Sequence, residues 1–218
     1  MKIAILFDMD GTVLDTLQDL ADSINHTMRE FGCPERSVKE VRAFLGCGAR
    51  QLIALSLPGK ADDPDLETVL AAYGAYYGQH SQDKTRPYAG IPEALEKLKE
   101  RYALAVVSNK PDVAVKPLAQ QFFPGIYALG EAADCPRKPA PDMVYKAMRE
   151  LGVEKCIYVG DTEVDIETAR NAGVPCLTVT WGFRDLPELE AAGADYFCDD
   201  PADMPQMLDR MVKEVYGQ

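Results

Sequence analysis

Two carboxylates stand one residue apart directly after the first apolar run of the chain. Asp8 and Asp10 follow the run Ile3 to Phe7, and Gly11 comes next. Ending a buried strand with two ionised acids is costly unless a cation or an exposed cleft receives them. Open parallel sheets bind ligands at the carboxyl ends of their strands, so we expect an acidic site at the end of this first strand.

Polar residues follow later apolar runs in the same way. Ser108 and Asn109 come after the second buried run, Asp161 and Asp165 come after a later one, and Lys138 precedes a predicted helix. Carboxylate oxygens suit Mg²⁺, which usually also keeps water and takes substrate phosphate. A lysine, a hydroxyl and backbone N–H groups can hold phosphate oxygens. An aspartate can also attack phosphorus and form an aspartyl phosphate.

Four of these segments, in this order, resemble the motifs of the haloacid dehalogenase superfamily, in its phosphoglycolate phosphatase-like branch with a helical cap. The resemblance covers essentially the whole chain. The matching segments are Asp8-Met9-Asp10-Gly11-Thr12, Ser108, Lys138-Pro139-Ala140-Pro141-Asp142 and Gly160-Asp161-Thr162-Glu163-Val164-Asp165. A single motif of this kind often occurs by chance, whereas four in order on the expected elements are strong evidence.

The resemblance implies a role for each acid of these motifs. Asp8 would be the nucleophile, and Asp10 would act first as general acid and then as general base. Asp8, Asp10 through its carbonyl and Asp161 would bind Mg²⁺. Asp165 would act through water or by supporting those ligands.

It also implies how the phosphate is held. Ser108 and Lys138 would bind the phosphoryl oxygens, and Thr12 and Asn109 would position the phosphate and the general acid. Arg50 follows a Gly-Cys-Gly loop that in this family can face the active site. It could bind a substrate carboxylate or a second phosphate, although a solvated arginine at a helix start fits the sequence equally well.

The remaining pattern predicts an α/β fold, a doubly wound parallel sheet with a helical insertion. From residue 15 to residue 80 the apolar spacing is helical and no convincing strand is found. Strands and helices alternate after residue 88. The strands predicted after the first one cover residues 104–107, 127–129, 156–159, 176–179 and 196–197. The helices predicted between and after them cover residues 94–101, 112–122, about 142–151, the segment that ends at 173, and 204–215.

The alternation divides the chain into two predicted units. Residues 1–14 and 88–218 would form a Rossmann-like core, and residues 15–87 would form a helical cap domain, called the cap below. The two crossings, near Asp15 and between Ser81 and Gly90, would act as a paired hinge. Capping boxes are predicted at Thr16 with Asp19 and at Ser37 with Glu40.

Some residues with suggestive chemistry receive structural predictions. Tyr73, Tyr76 and Tyr77 lie at helical spacing and are expected to form the core of the cap. His26 and His80 are expected at the surface, since the mechanism needs no histidine. Trp181-Gly182 is expected to be structural, near the rim of the pocket.

Composition narrows the partners. The 218 residues carry a net charge of −12, from 23 basic and 35 acidic residues, which disfavours nucleic acid and anionic membranes. No apolar run approaches the roughly 20 residues of a membrane helix. Six scattered cysteines without a C-x-x-C pair, and a strand that starts at residue 3 without room for a signal peptide, predict a cytoplasmic protein with reduced thiols. A monomer and a homodimer both fit.

The predicted function is a Mg²⁺-dependent phosphatase acting on a small phosphorylated metabolite such as 2-phosphoglycolate, with the cap closing over the substrate. A β-phosphoglucomutase-like isomerase is the nearest alternative, but Thr12 and the segment from Gly160 to Asp165 favour a hydrolase. A pyrophosphatase or nucleotidase would use the same core residues. A receiver-like signalling module would also phosphorylate an aspartate, but it leaves Asp10 and the cap unexplained.

Overall fold

A computed structural model describes residues 2–217, and a six-stranded parallel sheet forms its centre. The strands in chain order are β1 Ile3–Phe7, β2 Leu14–Asp15, β3 Arg86–Pro87, β4 Ala103–Pro111, β5 Tyr127–Glu131, β6 Lys155–Gly160, β7 Cys176–Val179 and β8 Tyr196–Cys198. The main sheet has the order β5-β4-β1-β6-β7-β8. β1 therefore lies inside the sheet, between β4 and β6, and its carboxyl end is flanked by theirs.

Helices cover both faces of this sheet. They are α5 Ile91–Lys99, α6 Asp112–Phe122, α7 Asp142–Leu151, α8 Glu163–Ala172, α9 Leu186–Ala191 and α10 Met204–Tyr216. Alternate residues of β1 enter different cores: Ile5 and Phe7 pack with α5, α6 and α10, whereas Ala4 and Leu6 pack with α7 and α8. This alternation is the pattern of a strand buried on both faces. The predicted doubly wound α/β fold is confirmed.

The segment between β2 and β3 is helical. It contains α1 Leu17–Glu30, α2 Val38–Phe44, α3 Gly48–Ser56, a short 3₁₀ helix Lys60–Asp62 and α4 Leu66–His80. These helices share a hydrophobic cluster of their own, which includes Ile24, Ile53 and Val69. Tyr73 and Tyr77 belong to that cluster, as predicted, whereas Tyr76 is half-buried and lies outside it. The predicted capping box at Ser37 is also present, with the Ser37 N–H donating to Glu40 over 2.8 Å.

The two crossings pair with each other as a short antiparallel ribbon that was not predicted. Leu14 lies opposite Pro87, and Asp15 lies opposite Arg86. The predicted capping box at Thr16 and Asp19 was wrong, because the Asp19 carboxylate makes its hydrogen bonds outside its own helix. It accepts hydrogen bonds from the backbone N–H groups of residues 84 and 85 at 2.8–2.9 Å. A buried acid thus ties the first turn of α1 to the returning chain.

Two further elements differ from the prediction. β4 continues to Pro111, beyond its predicted end, because its pairing with β5 resumes at Pro111 and Glu131 after an irregularity. Helix α9 was missed, although Asp185 begins it and donates its N–H to Glu188 over 2.8 Å. Among residues 2–217, no helix combines the length and the apolar character needed to cross a membrane.

Candidate active site

Three carboxylates meet where β1 and β6 end. Asp8 follows β1 and still donates its backbone N–H to Val159 of β6, over 2.8 Å. Asp161 follows β6, and Asp165 lies in the first turn of α8. One oxygen of each carboxylate lies within 4.8 Å of the others. The convergence expected from parallel strand ends is therefore present.

Two hydrogen-bond donors and two closely packed glycines hold the Asp161 side chain. Its two oxygens accept hydrogen bonds from the Thr12 hydroxyl and from the Phe183 N–H, both at 2.7 Å. Gly11, with φ +86°, and Gly182 lie so close that a Cβ on either would overlap the Asp161 side chain. The loop after β7 was predicted to be structural near the rim, and it supplies both Phe183 and Gly182. The Thr12 hydroxyl, predicted to act on the phosphate side, donates to Asp161.

Asp165 has both oxygens engaged. One accepts from the N–H and the hydroxyl of Thr162, at 3.1 and 2.8 Å, in a capping box at the start of α8. The other accepts from Lys138 Nζ at 2.8 Å. Gly160 packs directly under this side chain, and a Cβ there would overlap it. Asp165 therefore joins Lys138 to the turn that begins α8.

Lys138 brings a buried ammonium group to these acids. Its Nζ lies 2.8 Å from an oxygen of Asp8 and 3.0 Å from the Tyr158 hydroxyl, and the residue is 3% exposed. Asn109 fixes its backbone from both sides, since the Asn109 side chain accepts from the Lys138 N–H at 2.8 Å and donates to its carbonyl at 3.0 Å. Asn109 also donates to the carbonyl of Gly46 in the cap.

Burial and like charge perturb these groups strongly. Desolvation by burial raises the pKa of Asp8 to about 7, against the opposing effect of Lys138. Burial, then the neighbouring carboxylates of Asp165 and Asp8, raise the pKa of Asp161 well above its usual range. Burial alone would lower the pKa of Lys138, but Asp165 and Asp8 hold that pKa well above its usual value. The positive charge near Asp8 and Asp161 therefore does not offset their burial and mutual repulsion, whereas the Lys138 ammonium stays protonated.

Lys110 is a second buried ammonium that the sequence reasoning did not assign to the site. Its Nζ lies 3.1 Å from Asp10 and donates to the hydroxyl of Tyr77 in the cap over 2.8 Å. It also lies 4.5 Å from the centre of the Tyr77 ring. The available signal was its position directly after Ser108 and Asn109. The Ser108 hydroxyl is buried and accepts from the Lys110 N–H at 3.2 Å.

The other residues singled out from the sequence lie further out. Arg50 is exposed on α3, where it pairs with Glu67 at 2.7 Å, although it borders the cavity. His26 and His80 are half-buried, and both stack on the ring of Tyr76. Their ring centroids lie 3.7 and 4.2 Å, respectively, from the centroid of that ring. Neither histidine is among the described residues that line the cavity.

A cavity of about 510 Å³ lies above the acids, between the core and the cap. Asp8, Asp10, Ser108 and Lys138 border its core side, and residues of α3 and α4 border its other side. It is large enough for a small organic ligand and combines apolar walls with a few convergent polar groups. The predicted catalytic residues thus share one cavity with the cap.

The donor set fits a divalent cation bound through oxygen. Oδ1 of Asp8 is buried and lies 2.8 Å from the Lys138 ammonium. That ammonium contacts two of the three clustered carboxylates, Asp8 and Asp165, so another positive charge would lower the mutual repulsion of the three. Hard carboxylate oxygens are the ligands that Mg²⁺ prefers.

The fold and these motifs define a haloacid dehalogenase-like hydrolase. Residues 5–179 match the sequence model of that family, and the chain belongs to it. It is 34% identical to the N-acetylmuramic acid 6-phosphate phosphatase of Pseudomonas aeruginosa over 95% of both chains. It is 32% identical to the phosphoglycolate phosphatase of Aquifex aeolicus, over 96% of this chain and 98% of that one. These relatives indicate a phosphatase.

A solved structure gives the same result for the whole fold. A candidate phosphoglycolate phosphatase from Lactobacillus delbrueckii subsp. bulgaricus superposes with a TM-score of 0.85 at 36% identity, covering 93% of this chain and 96% of that chain. The likeness therefore extends beyond the motifs to the core and the inserted helices together.

Proposed function

We propose that this protein is a Mg²⁺-dependent phosphatase that hydrolyses a small phosphomonoester through a phosphorylated Asp8. The observation that carries the proposal is the buried carboxylate of Asp8, which borders the cavity and whose Oδ1 lies 2.8 Å from the Lys138 ammonium. A carboxylate that faces a cavity beside a cation is suited to attack an anionic phosphoryl group. The names of the relatives make 2-phosphoglycolate the first substrate to test.

The reaction has two displacements at phosphorus. An oxygen of Asp8 forms a bond to phosphorus while the ester P–O bond breaks, and Asp10 gives its proton to the departing alcohol oxygen. Asp10 then takes a proton from water as the water oxygen attacks the phospho-aspartate. The second displacement breaks the bond to Asp8, releases inorganic phosphate and restores both acids.

The surrounding residues orient these groups. Lys138 and Ser108 would bind phosphoryl oxygens, and Asn109 would hold Lys138 in place through its two backbone hydrogen bonds. Asp8, Asp161 and the carbonyl of Asp10 would hold Mg²⁺, which when bound supplies positive charge against the phosphoryl oxygens. Asp165 pairs with the Lys138 ammonium at 2.8 Å, which supports a role in holding that lysine.

The cap would exclude water during the reaction. We place it at residues 15–87, with residues 1–14 and 88–218 as the core, because the helical cluster has its own hydrophobic interior and the two crossings pair at its base. Movement about the ribbon formed by β2 and β3 would open and close the cavity. A cross-link that locks the cap onto the core should abolish turnover, and undiminished activity would reject the closure.

The cellular setting follows from charge and cysteine chemistry. The net charge of −12 supports a small phosphorylated metabolite as the partner rather than nucleic acid or an anionic membrane surface. All six cysteines are free thiols, which supports a reducing compartment such as the cytoplasm.

The decisive test is phosphate release by the purified protein, with Mg²⁺ and with a chelator. The substrate panel contains 2-phosphoglycolate, hexose phosphates, nucleoside monophosphates and pyrophosphate. We expect Mg²⁺-dependent release that Asp8→Asn abolishes and that Asp62→Asn, an isosteric change on the exposed 3₁₀ helix, leaves intact. Near-normal rates of phosphate release by Asp8→Asn would show that Asp8 is not the nucleophile. Interconversion of sugar phosphate isomers without phosphate release would favour the mutase alternative.

A further inference from the structure

The cavity is large even with the cap docked against the core. Several contacts join the cap to the core, and among them the Gly46 carbonyl accepts from Asn109, the Leu45 carbonyl accepts from Arg184, and Arg42 pairs with Asp185 at 3.0 Å. The cavity volume in this docked arrangement is about 510 Å³, within the range of pockets that hold small organic ligands. A phosphate with a two-carbon alcohol would fill only a small part of it.

Much of the cavity wall is apolar. Residues from α3, α4, α6, the loop between α2 and α3 and the loop after β7 contribute, and the main apolar ones are Leu45, Leu52, Leu70, Tyr73, Val113 and Phe183. Burying apolar surface of a ligand against such a wall is favourable, whereas placing an ionised group there is costly. This wall therefore favours an alcohol part with apolar surface of its own.

The cations beside the wall are already paired. Lys138 is taken by the phosphate in the proposed reaction, which leaves Lys110 and Arg50 on the cavity lining for any second anion. Lys110 lies 3.1 Å from Asp10, and Arg50 pairs with Glu67 at 2.7 Å in an exposed salt bridge. Asp10 and Glu131 are carboxylates on the same lining. A second anionic group on the substrate would meet their negative charge beside these cations, which disfavours it.

Two glycines widen the cavity along α4. Gly74 and Gly78 lie one helical turn apart inside α4 and border the cavity, and a Cβ on either would have no described atom within 4 Å. Glycine is among the weakest helix formers, so two glycines within one helix weaken it. These glycines and Asp8 border the same cavity.

From these observations we infer that the site takes a phosphomonoester whose alcohol part is uncharged, about the size of a monosaccharide, and packs apolar surface against α4 at Gly74 and Gly78. This inference rests on the proposed phosphatase function and specifies its substrate class.

Three phosphate esters separate size from charge: 2-phosphoglycolate is small and carries a second anion, glycerol 3-phosphate is small with an uncharged alcohol part, and N-acetylglucosamine 6-phosphate is ring-sized with an uncharged, acylated alcohol part. We expect kcat/KM of the wild type with Mg²⁺ to be highest for the ring-sized ester, by about tenfold or more. A preference for 2-phosphoglycolate would overturn the inference and leave the phosphatase function standing. Release from none of a full ester panel would overturn both.

Variants of α4 then test the wall itself. Gly78→Leu should lower the ratio of kcat/KM for the ring-sized ester over glycerol 3-phosphate by about tenfold or more. Ala75→Leu, at an exposed position of the same helix that is not among the described residues lining the cavity, should leave that ratio unchanged. Gly74→Ala is a smaller change that should raise Tm by about 1–4 °C through helix propensity while still lowering the ratio. Equal losses on all esters would reject the assignment of these glycines to the substrate wall.

Discussion

Two buried lysines each sit beside one acid of the Asp8-Met9-Asp10 segment, but they are held by different parts of the molecule. Lys138 touches only the core: Asp8 and Asp165 lie 2.8 Å from its Nζ, and Tyr158 lies 3.0 Å away. Lys110 is shared, because its Nζ lies 3.1 Å from Asp10 in the core and 2.8 Å from Tyr77 in the cap.

The two lysines therefore differ in whether their surroundings include the cap: those of Lys138 do not, and those of Lys110 do. The contacts of Lys138 would persist if the cap moved away, since none of them comes from residues 15–87. Lys110 would lose its contacts with the Tyr77 hydroxyl and with the Tyr77 ring. The centre of that ring lies 4.5 Å from the ammonium, and the ring shields the ammonium from water. If the cap moves as proposed, Asp8, the proposed nucleophile, keeps its lysine environment, whereas the surroundings of Asp10, the proposed general acid, change.

The largest effect is expected from Lys138→Met, which keeps the length of the side chain and removes its charge. The charge that offsets repulsion between Asp8 and the incoming phosphate is lost, so kcat/KM for phosphate release should fall by about 10²–10³ or more. Leaving buried carboxylates unpaired should also lower the free energy of unfolding by about 3–5 kcal/mol. Steady-state kinetics and urea unfolding measure the two losses.

Lys116→Met serves as the matched control for that experiment. Lys116 is an exposed lysine of α6 that pairs with Asp112 within the same helix, and such pairs contribute little. Both its rate and its unfolding midpoint should stay close to those of the wild type. A Lys138→Met protein that retains normal turnover would remove this lysine from the proposed mechanism.

Lys110→Met should have a smaller effect of a different kind. The phosphate-binding lysine remains, but Asp10 loses the ion pair that fixes its side chain, so we expect about a 10–100-fold fall in kcat. The loss should be greatest for alkyl esters, which need a proton on the leaving oxygen, and smaller for p-nitrophenyl phosphate, which leaves without one. Equal losses on both substrates would show that Lys110 does not act through the general acid.

Tyr77→Phe isolates the contribution of the cap to this arrangement. The ring beneath the ammonium remains and only the hydroxyl is lost, so a fall in kcat of about three- to tenfold is expected. If Tyr77 acts through Lys110, the double variant should be little worse than Lys110→Met alone, because the two residues share one interaction. Additive losses in the double-mutant cycle would mean that the two residues act independently.

The sequence motifs predicted the core side of the site well and its cap side poorly. Asp8, Asp161 and Lys138 come together because strand ends of a parallel sheet converge, a property of the fold class that needs no knowledge of loop geometry. Lys110 was missed because its partner, Tyr77, is remote in sequence and belongs to a helix whose spacing indicated only a core position. Phe183 was missed because it contributes a backbone N–H, which any residue type supplies.

The same distinction applies to the fold. The bounds of β1, α6 and β7 were predicted to the residue, since each is an apolar run or an amphipathic helix closed by polar residues or breakers. β2 and β3 have two residues each, too few for any periodicity, and they exist only because they pair with each other. Asp19 had the spacing of a helix cap, but its hydrogen-bond partners, residues 84 and 85, are far along the chain.

Arg184 provides the last and smallest prediction, because it joins the cap to the core away from the acids. Its guanidinium pairs with Glu163 at 2.6 Å and donates to the carbonyl of Leu45, at the end of α2, over 2.8 Å. In Arg184→Lys the single ammonium cannot make both contacts at once, so cap docking should weaken by about 0.5–1 kcal/mol.

Such a loss should raise KM by about two- to fivefold and leave kcat nearly unchanged, because neither lysine and neither acid of the Asp8-Met9-Asp10 segment is touched. Arg29→Lys, in the exposed pair with Glu35, should change neither constant. A fall in kcat as large as that of Tyr77→Phe would mean that cap docking as a whole, rather than the Tyr77–Lys110 contact, determines the state of Asp10. The contrast between the core-held and the shared lysine would then describe their positions but not their catalytic roles.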